Sequence, residues 1–600
     1  MTIRVGGFVL FEEVAKYYEK LEGISSRLAM VDMLTEMFKK AKSTEIKQLI
    51  YFTQGMLAPP FAGIEIGIAA KLAEEAIAIA TGYSKEEISA AFRKSGDLGI
   101  TVEEFIKNSK LKRMSKSKFD VNEVFSTMLQ IAGTGGEGSK DAKIKALANM
   151  LASSSPIEAK YIVRFSLGEL RLGVGDATIL EALSKLVTGE RAFKEKLENA
   201  YNICSDLGTV GEVLVKEGTK AIEDFKVSLF KPIRPALAER LPTSQEIFER
   251  MHGKCAVESK YDGLRAQVHV DKKAKRVEIF SRRLERLTDM FPELVSAALN
   301  ETKGERMIFE GEAISYDDTT GQFRPFQETI QRKRKHEVKK MSEELPLHLF
   351  AFDLMYFDGI DYLGKPYSER RKKLEELVSG TGTIRLSDRI IATSAKEIDR
   401  YFEDVVSNGL EGIVAKDLNA KYIAGARKFS WIKMKRSYKG ELTDTVDLVI
   451  VGYYVGKGSR TALGLGGLLG AVYNDKDDMF ETMTKIGTGF TEQMMQDFKK
   501  MLDKIKVAKK PARVKSIIEP DFWVEPKYVI TVKADEITKS SIHTAGRHEE
   551  NGVEIGYALR FPRIVGGGIR QDKSAEEATT TKEIIEMFTQ QRKTKLSDAP

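Results

Sequence analysis

Lys260 is the residue best placed to do chemistry, because it ends a short polar segment between two apolar runs. The segment Glu258-Ser259-Lys260-Tyr261-Asp262-Gly263 turns at its glycine, and an apolar run then resumes at 264–270, which predicts a hairpin. Strand side chains alternate in direction, so Glu258 and Lys260 share a face across which a nucleotide can lie. A neutral lysine amine there is a nucleophile. Taken alone, the Lys-x-Asp-Gly pattern is a weak signal and is more typical of a solvated hairpin turn.

Further predicted strands carry sets of residues at the same two-residue interval, and most of these residues are polar or aromatic. Carboxylates on such apolar strands are costly to bury unless they pair with a cation or bind a metal ion. Several strands of this kind together therefore indicate a site. The groups are Ile308, Glu310 and Glu312; Phe350 and Phe352; and Trp431, Lys433 and Lys435.

The elements that position these residues fall into three regions. Apolar residues recur at three- and four-residue spacing from Phe8 to Lys226, as in Leu28, Val31, Leu34 and Phe38, which predicts helices. Prolines near 231–235 end that pattern, and the period becomes two from Lys254 onward. We expect a helical domain at 1–230, a mixed α+β domain at 231–438, and a small β-barrel with a helix near 582–590 at 439–600.

Composition excludes some classes of protein. The chain has 600 residues, and Lys and Arg exceed Asp and Glu by seven, a modest excess compatible with a polyanionic partner. Cys204 and Cys255 are its two cysteines, too few for a four-cysteine zinc site; we expect both to be buried. Neither a signal peptide nor a long uncharged apolar stretch is present. We expect a cytoplasmic protein that does not bind membranes.

The motifs together resemble those of the covalent nucleotidyltransferases, the superfamily of DNA ligases, RNA ligases and mRNA-capping enzymes. Six motifs occur in the family's order. They are Lys260-Tyr261-Asp262-Gly263, Ser281-Arg282-Arg283, Phe309-Glu310-Gly311-Glu312, Phe350-Ala351-Phe352-Asp353, Glu411-Gly412-Ile413-Val414-Ala415-Lys416 and Trp431-Ile432-Lys433-Met434-Lys435.

Two further segments resemble ATP-dependent DNA ligases of the archaeal and eukaryotic replicative type. The C-terminal one is Leu559-Arg560-Phe561-Pro562-Arg563 followed by Arg570-Gln571-Asp572-Lys573, and the N-terminal one is Gly168-Glu169-Leu170-Arg171-Leu172-Gly173. The resemblance implies an all-helical DNA-binding domain, an α+β adenylation domain and a C-terminal oligonucleotide-binding (OB-fold) β-barrel.

The resemblance also implies the reaction and its residues. Lys260 takes AMP from ATP, the AMP passes to a 5′-phosphate on nicked duplex DNA, and the adjacent 3′-hydroxyl then seals the break, in replication, repair and recombination. Glu258 reads the adenine amino group and Phe352 stacks on the base. Arginines and a lysine address the ribose or phosphates; these are Arg265, Arg282, Arg427 and Lys433.

Carboxylates and the last domain complete the implied site. Glu312 and Glu411 meet the ribose or a metal ion, for which carboxylate oxygens suit Mg²⁺, with Mn²⁺ as the alternative. We expect Lys433 and Lys435 to lower the pKa of Lys260 and so favour its neutral form. The last domain closes over ATP and then grips DNA, and its residues are Arg570, Asp572 and Lys573.

Three rivals remain open. An RNA ligase or capping enzyme shares the lysine motif but does not explain the helical third, and an NAD-dependent ligase would carry zinc-binding cysteines. A catalytically silent DNA clamp does not explain why Lys260 and its neighbouring charges are present. We expect nicked duplex DNA as the substrate, a monomeric protein, and a sliding clamp as a partner; the sequence leaves open whether ADP or GTP replaces ATP.

Overall fold

A computed structural model describes most of the chain. The described residues are 9–111, 118–317, 322–324, 326–333, 337–408, 410–435, 445–455, 464–550 and 552–597.

The N-terminal third folds into helices around one apolar core. Several helices begin at a side-chain cap, such as Ser84, Asp120 and Ser155, because these side chains satisfy free backbone N–H groups. Of the apolar stripe in α2, Leu28 is exposed in the first turn, whereas the residues that follow it are buried. The helices are α1 Phe11–Gly23, α2 Arg27–Lys40, α3 Ile46–Gln54, α4 Ala70–Thr81, α5 Lys85–Ser95, α6 Leu98–Lys107, α7 Val121–Gly133, α8 Ser139–Ser153, α9 Pro156–Ser166, α10 Asp176–Thr188, α11 Lys194–Cys204, α12 Leu207–Glu217 and α13 Thr219–Glu223.

The central third alternates strands and helices. Its strands are β1 Leu237–Arg240, β2 Cys255–Lys260, β3 Leu264–Asp271, β4 Arg276–Ser281, β5 Arg306–Asp317, β6 Gln322–Phe323, β7 Leu347–Phe357, β8 Ile360–Asp361, β9 Ile384–Leu386, β10 Arg389–Ala392, β11 Gly412–Lys416 and β12 Arg427–Lys435. Its helices are α14 Ser244–Arg250, α15 Pro292–Asn300, α16 Phe326–Thr329, α17 Val338–Glu344, α18 Tyr367–Leu377 and α19 Ala395–Ser407.

These strands form two sheets whose inner faces meet. One has the order β1-β12-β11-β2-β10, and the other runs β4-β3-β5-β7-β8, with β6 on β5 and β9 on β7. Tyr261, which follows β2, stacks on Phe350 of β7 with ring centroids 4.5 Å apart. The hairpin that carries Lys260 therefore joins the two sheets, since β2 belongs to one and β3 to the other.

The C-terminal third is rich in strands. A large sheet has the order β16-β18-β13-β14-β15-β17, with β19 joining β13 to β23, and a small sheet has the order β20-β22-β21. Both contribute to one apolar core. The elements are β13 Thr445–Tyr454, β14 Gly467–Asn474, β15 Met479–Ile486, α20 Glu492–Leu502, β16 Lys506–Val507, β17 Val514–Lys515, β18 Phe522–Val524, β19 Val529–Lys533, β20 Glu536–Ser540, β21 Ala545–Glu550, β22 Val553–Arg560, β23 Arg563–Ile569 and α21 Thr581–Ser597.

The predicted fold class, with a helical N-terminal region, a mixed central region and a strand-rich C-terminal region, is confirmed. The predicted C-terminal helix is α21. Cys204 and Cys255 are buried and unpaired, as expected. The domain limits stay predictions, and the one at 438 lies outside the described residues.

Candidate active site

One face of the five-stranded sheet gathers the charged residues. Lys260 and Lys435 lie opposite the same residue of β11, and Glu258 and Lys433 lie opposite another. Residues directly opposite one another in antiparallel strands project from the same face. Three cations and a carboxylate therefore point toward the second sheet.

Glu411 fills the space between the two lysines. The residue after it, Gly412, has a φ of 149°, and a side chain there would place its Cβ 2.2 Å from the carbonyl oxygen of Met434, so glycine is required. The carboxylate of Glu411 then pairs with Lys260 through one oxygen and with Lys435 through the other. Lys260 and Lys435 thus share a counter-ion.

The charge environment of Lys260 differs from our expectation. Burial acts to lower the pKa of Lys260, but the carboxylates of Glu411 and Glu312 outweigh burial and raise it. Burial instead lowers the pKa of Lys433 well below its ordinary value. The expected lowering at Lys260 is wrong for this arrangement, because Glu411 stands between it and Lys435.

Glu312 faces Lys260 from the second sheet. It lies opposite Arg265 in the pairing of β3 with β5. Burial raises the pKa of Glu312 to about 7, although Lys260 and Arg265 oppose the shift. The hairpin can approach this closely because a Cβ on Gly263 would lie 2.5 Å from the carbonyl oxygen of Ala313. A buried carboxylate in such a position is a candidate ligand for a cation.

Phe352 is positioned by a bulge. The pairing of β7 with β5 passes from Ala351 to Asp353 and skips Phe352, and bulges redirect side chains at sites. Its ring is edge-on to Trp431 at 5.9 Å between centroids, with the Nζ of Lys416 at 4.6 Å. Lys416 also pairs with Glu258, so this aromatic ring lies near that carboxylate, and an aromatic face suits a purine base.

Three family models match segments of the chain. Residues 235–435 match the family described as ATP dependent DNA ligase domain, residues 10–184 match DNA ligase N terminus, and residues 461–573 match ATP dependent DNA ligase C terminal region. A protein of Dictyoglomus turgidum described as a probable DNA ligase is 47% identical over 98% of this chain and 99% of its own length. The chain belongs to the ATP-dependent DNA ligases.

Two further similarities are of different strength. The DNA ligase of Sulfurisphaera tokodaii is 42% identical to this ligase, over 96% of this chain and 97% of its own length. A solved structure titled mycobacterial DNA ligase D complexed with ATP and MES is 23% identical, with a TM-score of 0.32, and covers 58% of this chain and 97% of its own.

Arg265 is held by a network within the ligase. Its guanidinium donates to both oxygens of Glu310, at 2.6 and 3.2 Å, and to the carbonyl oxygen of Ala236 at 2.7 Å. Tyr422 also donates to Glu310 at 2.9 Å. The sequence placed Glu310 among the polar groups of a candidate site without indicating its partner, and the structure shows that it orients Arg265.

The C-terminal region supplies carboxylates to the other predicted cations. Glu577 accepts a hydrogen bond from Arg282 at 2.8 Å. Glu583 of α21 pairs with Arg427 and lies 3.8 Å from Lys433. Sequence reasoning missed both carboxylates, because nothing in a run of helical residues shows which distant cation they meet. In this arrangement Glu577 and Glu583 pair with side-chain donors that we expected to bind phosphates.

The three residues predicted from the last domain lie next to the site. Arg570 pairs with Asp572 at 2.6 Å, and Lys573 pairs with Asp447. The hydrogen bond to Asp572 raises the pKa of Arg570, and the nearby charge of Glu411 adds to the shift. The C-terminal region of the ligase is therefore close to the lysine pair.

Two protein carboxylates in this site are available to bind a metal ion. Among the described residues, no group of three or more acidic, histidine or cysteine side chains could hold a metal ion by itself. Glu312 and Glu411 supply hard oxygen ligands of the kind that Mg²⁺ accepts, and Mg²⁺ commonly takes one or two carboxylates together with phosphate oxygens and waters. The donor set fits that ion.

Within the described ranges, every helix is too short or too polar to traverse a lipid bilayer.

Proposed function

We propose that this ligase seals nicks in duplex DNA through an AMP adduct on Lys260. The observation that carries the proposal is the placement of Lys260 among Glu411, Lys435 and Lys433 on one sheet, opposite Glu312 and Phe352 on the other. A nucleophilic amine, cations for phosphates and an aromatic face for a base meet between the two sheets.

The first step loads the lysine. Breaking the Lys260–Glu411 ion pair removes the main cause of the raised pKa, so that the ammonium can lose a proton. Nζ then forms a bond to the α-phosphorus of ATP as the bond to the bridging oxygen breaks, and pyrophosphate leaves. Lys433 and Lys435 neutralise charge on the phosphates during this displacement.

Two further displacements restore the lysine. An oxygen of the 5′-phosphate at the nick attacks the same phosphorus, the phosphorus–nitrogen bond breaks, and Lys260 is free again. The 3′-hydroxyl then attacks the 5′-phosphate, a phosphodiester forms and AMP leaves. Mg²⁺, held by Glu312 and Glu411, would supply charge neutralisation at the phosphates.

The test uses the wild-type chain, Mg²⁺ and ATP labelled at the α-phosphate. We expect a protein-bound label on a denaturing gel, and a chase with unlabelled nicked DNA should move it to DNA and leave a sealed strand. Label that moves only to nicked RNA or a capping acceptor would favour the rival enzymes. An unlabelled protein would contradict the proposal. It stays a prediction that the ligase is a monomer, that it binds a sliding clamp and that it works in the cytoplasm.

Removing the aromatic face should weaken ATP use. We expect Phe352→Ala to raise the KM for ATP by about 5- to 150-fold, because base stacking contributes about 1–3 kcal/mol. The measurement is the rate of protein labelling against ATP concentration. Phe357→Ala, on the same strand but packed near Gly304, is the matched control. An unchanged KM in the Phe352 variant would exclude base stacking.

Binding to the nick should depend steeply on salt. If the ligase holds DNA mainly through phosphates, its affinity should fall on the order of 10³-fold between about 50 and about 200 mM salt. Fluorescence anisotropy of a labelled nicked duplex measures the affinity. Labelling of the protein by ATP in the absence of DNA serves as the control and should change much less. A flat salt dependence of nick affinity would contradict a grip dominated by phosphates.

A further inference from the structure

Glu258 is buried beside the proposed nucleotide site, and side chains outside the predicted set of site residues hold it in place. It is 2% exposed. One carboxylate oxygen lies 2.8 Å from the Nζ of Lys416. The other accepts a hydrogen bond from the hydroxyl of Tyr367 and lies 3.6 Å from a guanidinium nitrogen of Arg371. Two cations and a phenol thus surround this carboxylate.

Tyr367 is itself rigidly placed. It is fully buried at the start of α18, and its backbone N–H donates to the carbonyl oxygen of Ala420 at 2.9 Å. Burial raises the pKa of its phenol well above the ordinary value, and the charge of Glu258 adds to the shift. The phenol therefore stays a neutral donor, and its proton is directed at Glu258.

The carboxylate of Glu258 can accept hydrogen bonds from a base but cannot donate them. Lys416 contacts both Glu258 and the ring of Phe352, at 2.8 Å and 4.6 Å, so Glu258 lies beside the aromatic face on which a base would stack. A base edge with an amino group can donate to it. A base edge with a carbonyl oxygen would place two acceptors against each other, which leaves both buried groups unsatisfied.

We propose that Tyr367 is a positioning residue that fixes the orientation of Glu258 and thereby makes the site require a purine with a 6-amino group. This inference rests on the proposed function. Without the phenol, the partner left to that carboxylate oxygen among the described residues is Arg371 at 3.6 Å, beyond hydrogen-bonding distance. The carboxylate could then turn, and the hydrogen bond to the amino group would be weakened.

The experiment compares two nucleotides. Formation of the Lys260 adduct is measured with ATP and with purine riboside 5′-triphosphate, which lacks the 6-amino group. For Tyr367→Phe we expect kcat/KM with ATP to fall about tenfold, mainly through KM, as for a lost hydrogen bond to a charged group. With the analogue it should stay within about twofold of wild type. Activity with the analogue also shows that the variant is folded.

The matched control is Tyr401→Phe. The hydroxyl of Tyr401 lies 3.0 Å from that of Ser259, which alternates with Glu258 and points to the other face of β2. This variant should keep the wild-type ratio of the two nucleotides. Equal losses with both nucleotides in Tyr367→Phe, or no loss with ATP, would overturn the assignment of Tyr367. A wild-type chain that forms no adduct with either nucleotide would overturn the proposed function itself.

Discussion

The Lys260→Ala variant is expected to form no covalent adduct with AMP. In the proposed mechanism the amine of Lys260 attacks the α-phosphorus. Labelling should therefore fall to background, a loss on the order of 10⁴-fold or more, as when other catalytic nucleophiles are removed. The measurement is the protein-bound label from α-labelled ATP. Binding of the nicked duplex should persist, because the DNA grip does not depend on this side chain.

A second variant separates the loss of chemistry from a disturbed fold. Lys260→Arg keeps a cation to pair with Glu411, but a guanidinium is protonated at every working pH and is not a nucleophile. It should also give no label. Either variant should still seal a nick whose 5′-phosphate already carries AMP, because the last step needs no amine. A label on Lys260→Ala would show that another residue carries AMP.

The Arg370→Ala variant is expected to be strongly destabilised. Arg370 and Asp353 are fully buried, and the guanidinium donates to the carboxylate at 2.7 and 3.0 Å. It also donates to the carbonyl oxygens of Lys365 and Ala420, at 2.7 and 2.9 Å. Removing the arginine leaves a buried carboxylate without its counter-ion, which costs about 3–5 kcal/mol in the free energy of unfolding.

The unfolding of the central region can be followed by itself. The chain has two tryptophans, so a Trp523→Phe background leaves Trp431, beside the site, as the fluorescent reporter of unfolding in denaturant. Lys373→Ala is the control: Lys373 lies on the same helix in a surface pair with Glu376 at 2.8 Å, and surface pairs of this kind contribute little to stability. An Arg370→Ala variant as stable as this control would show that the buried pair contributes little.

Much of the fold follows from local patterns. The three- and four-residue spacing of α2 predicted a helix, and the two-residue spacing around Lys260 predicted β2 and β3, because burial of one face imposes these periods. The exposed Leu28 shows the limit of this reasoning: a periodic stripe does not reveal where along a helix the core ends. Likewise, strand period does not predict the bulge that redirects Phe352.

The site was predicted in part. Two-residue spacing puts Glu258 and Lys260 on one face of β2, and likewise Lys433 and Lys435 on one face of β12. The observed register then brings the two pairs onto the same face of the sheet. The partners of these residues could not be predicted. Tyr367 donates to Glu258 from 109 residues away, and no local pattern specifies a contact between elements so distant in sequence.

The sequence by itself determined which residues are able to do the chemistry, their motif order, and the helical or strand character of the regions that carry them. The tertiary structure alone decided their electrostatics. Glu411 lies between Lys260 and Lys435 and raises the pKa of the nucleophile, and Glu583 of α21 covers Arg427. The physical reason is that Coulomb interactions depend on distance in space and on burial, and neither can be read from positions along the chain.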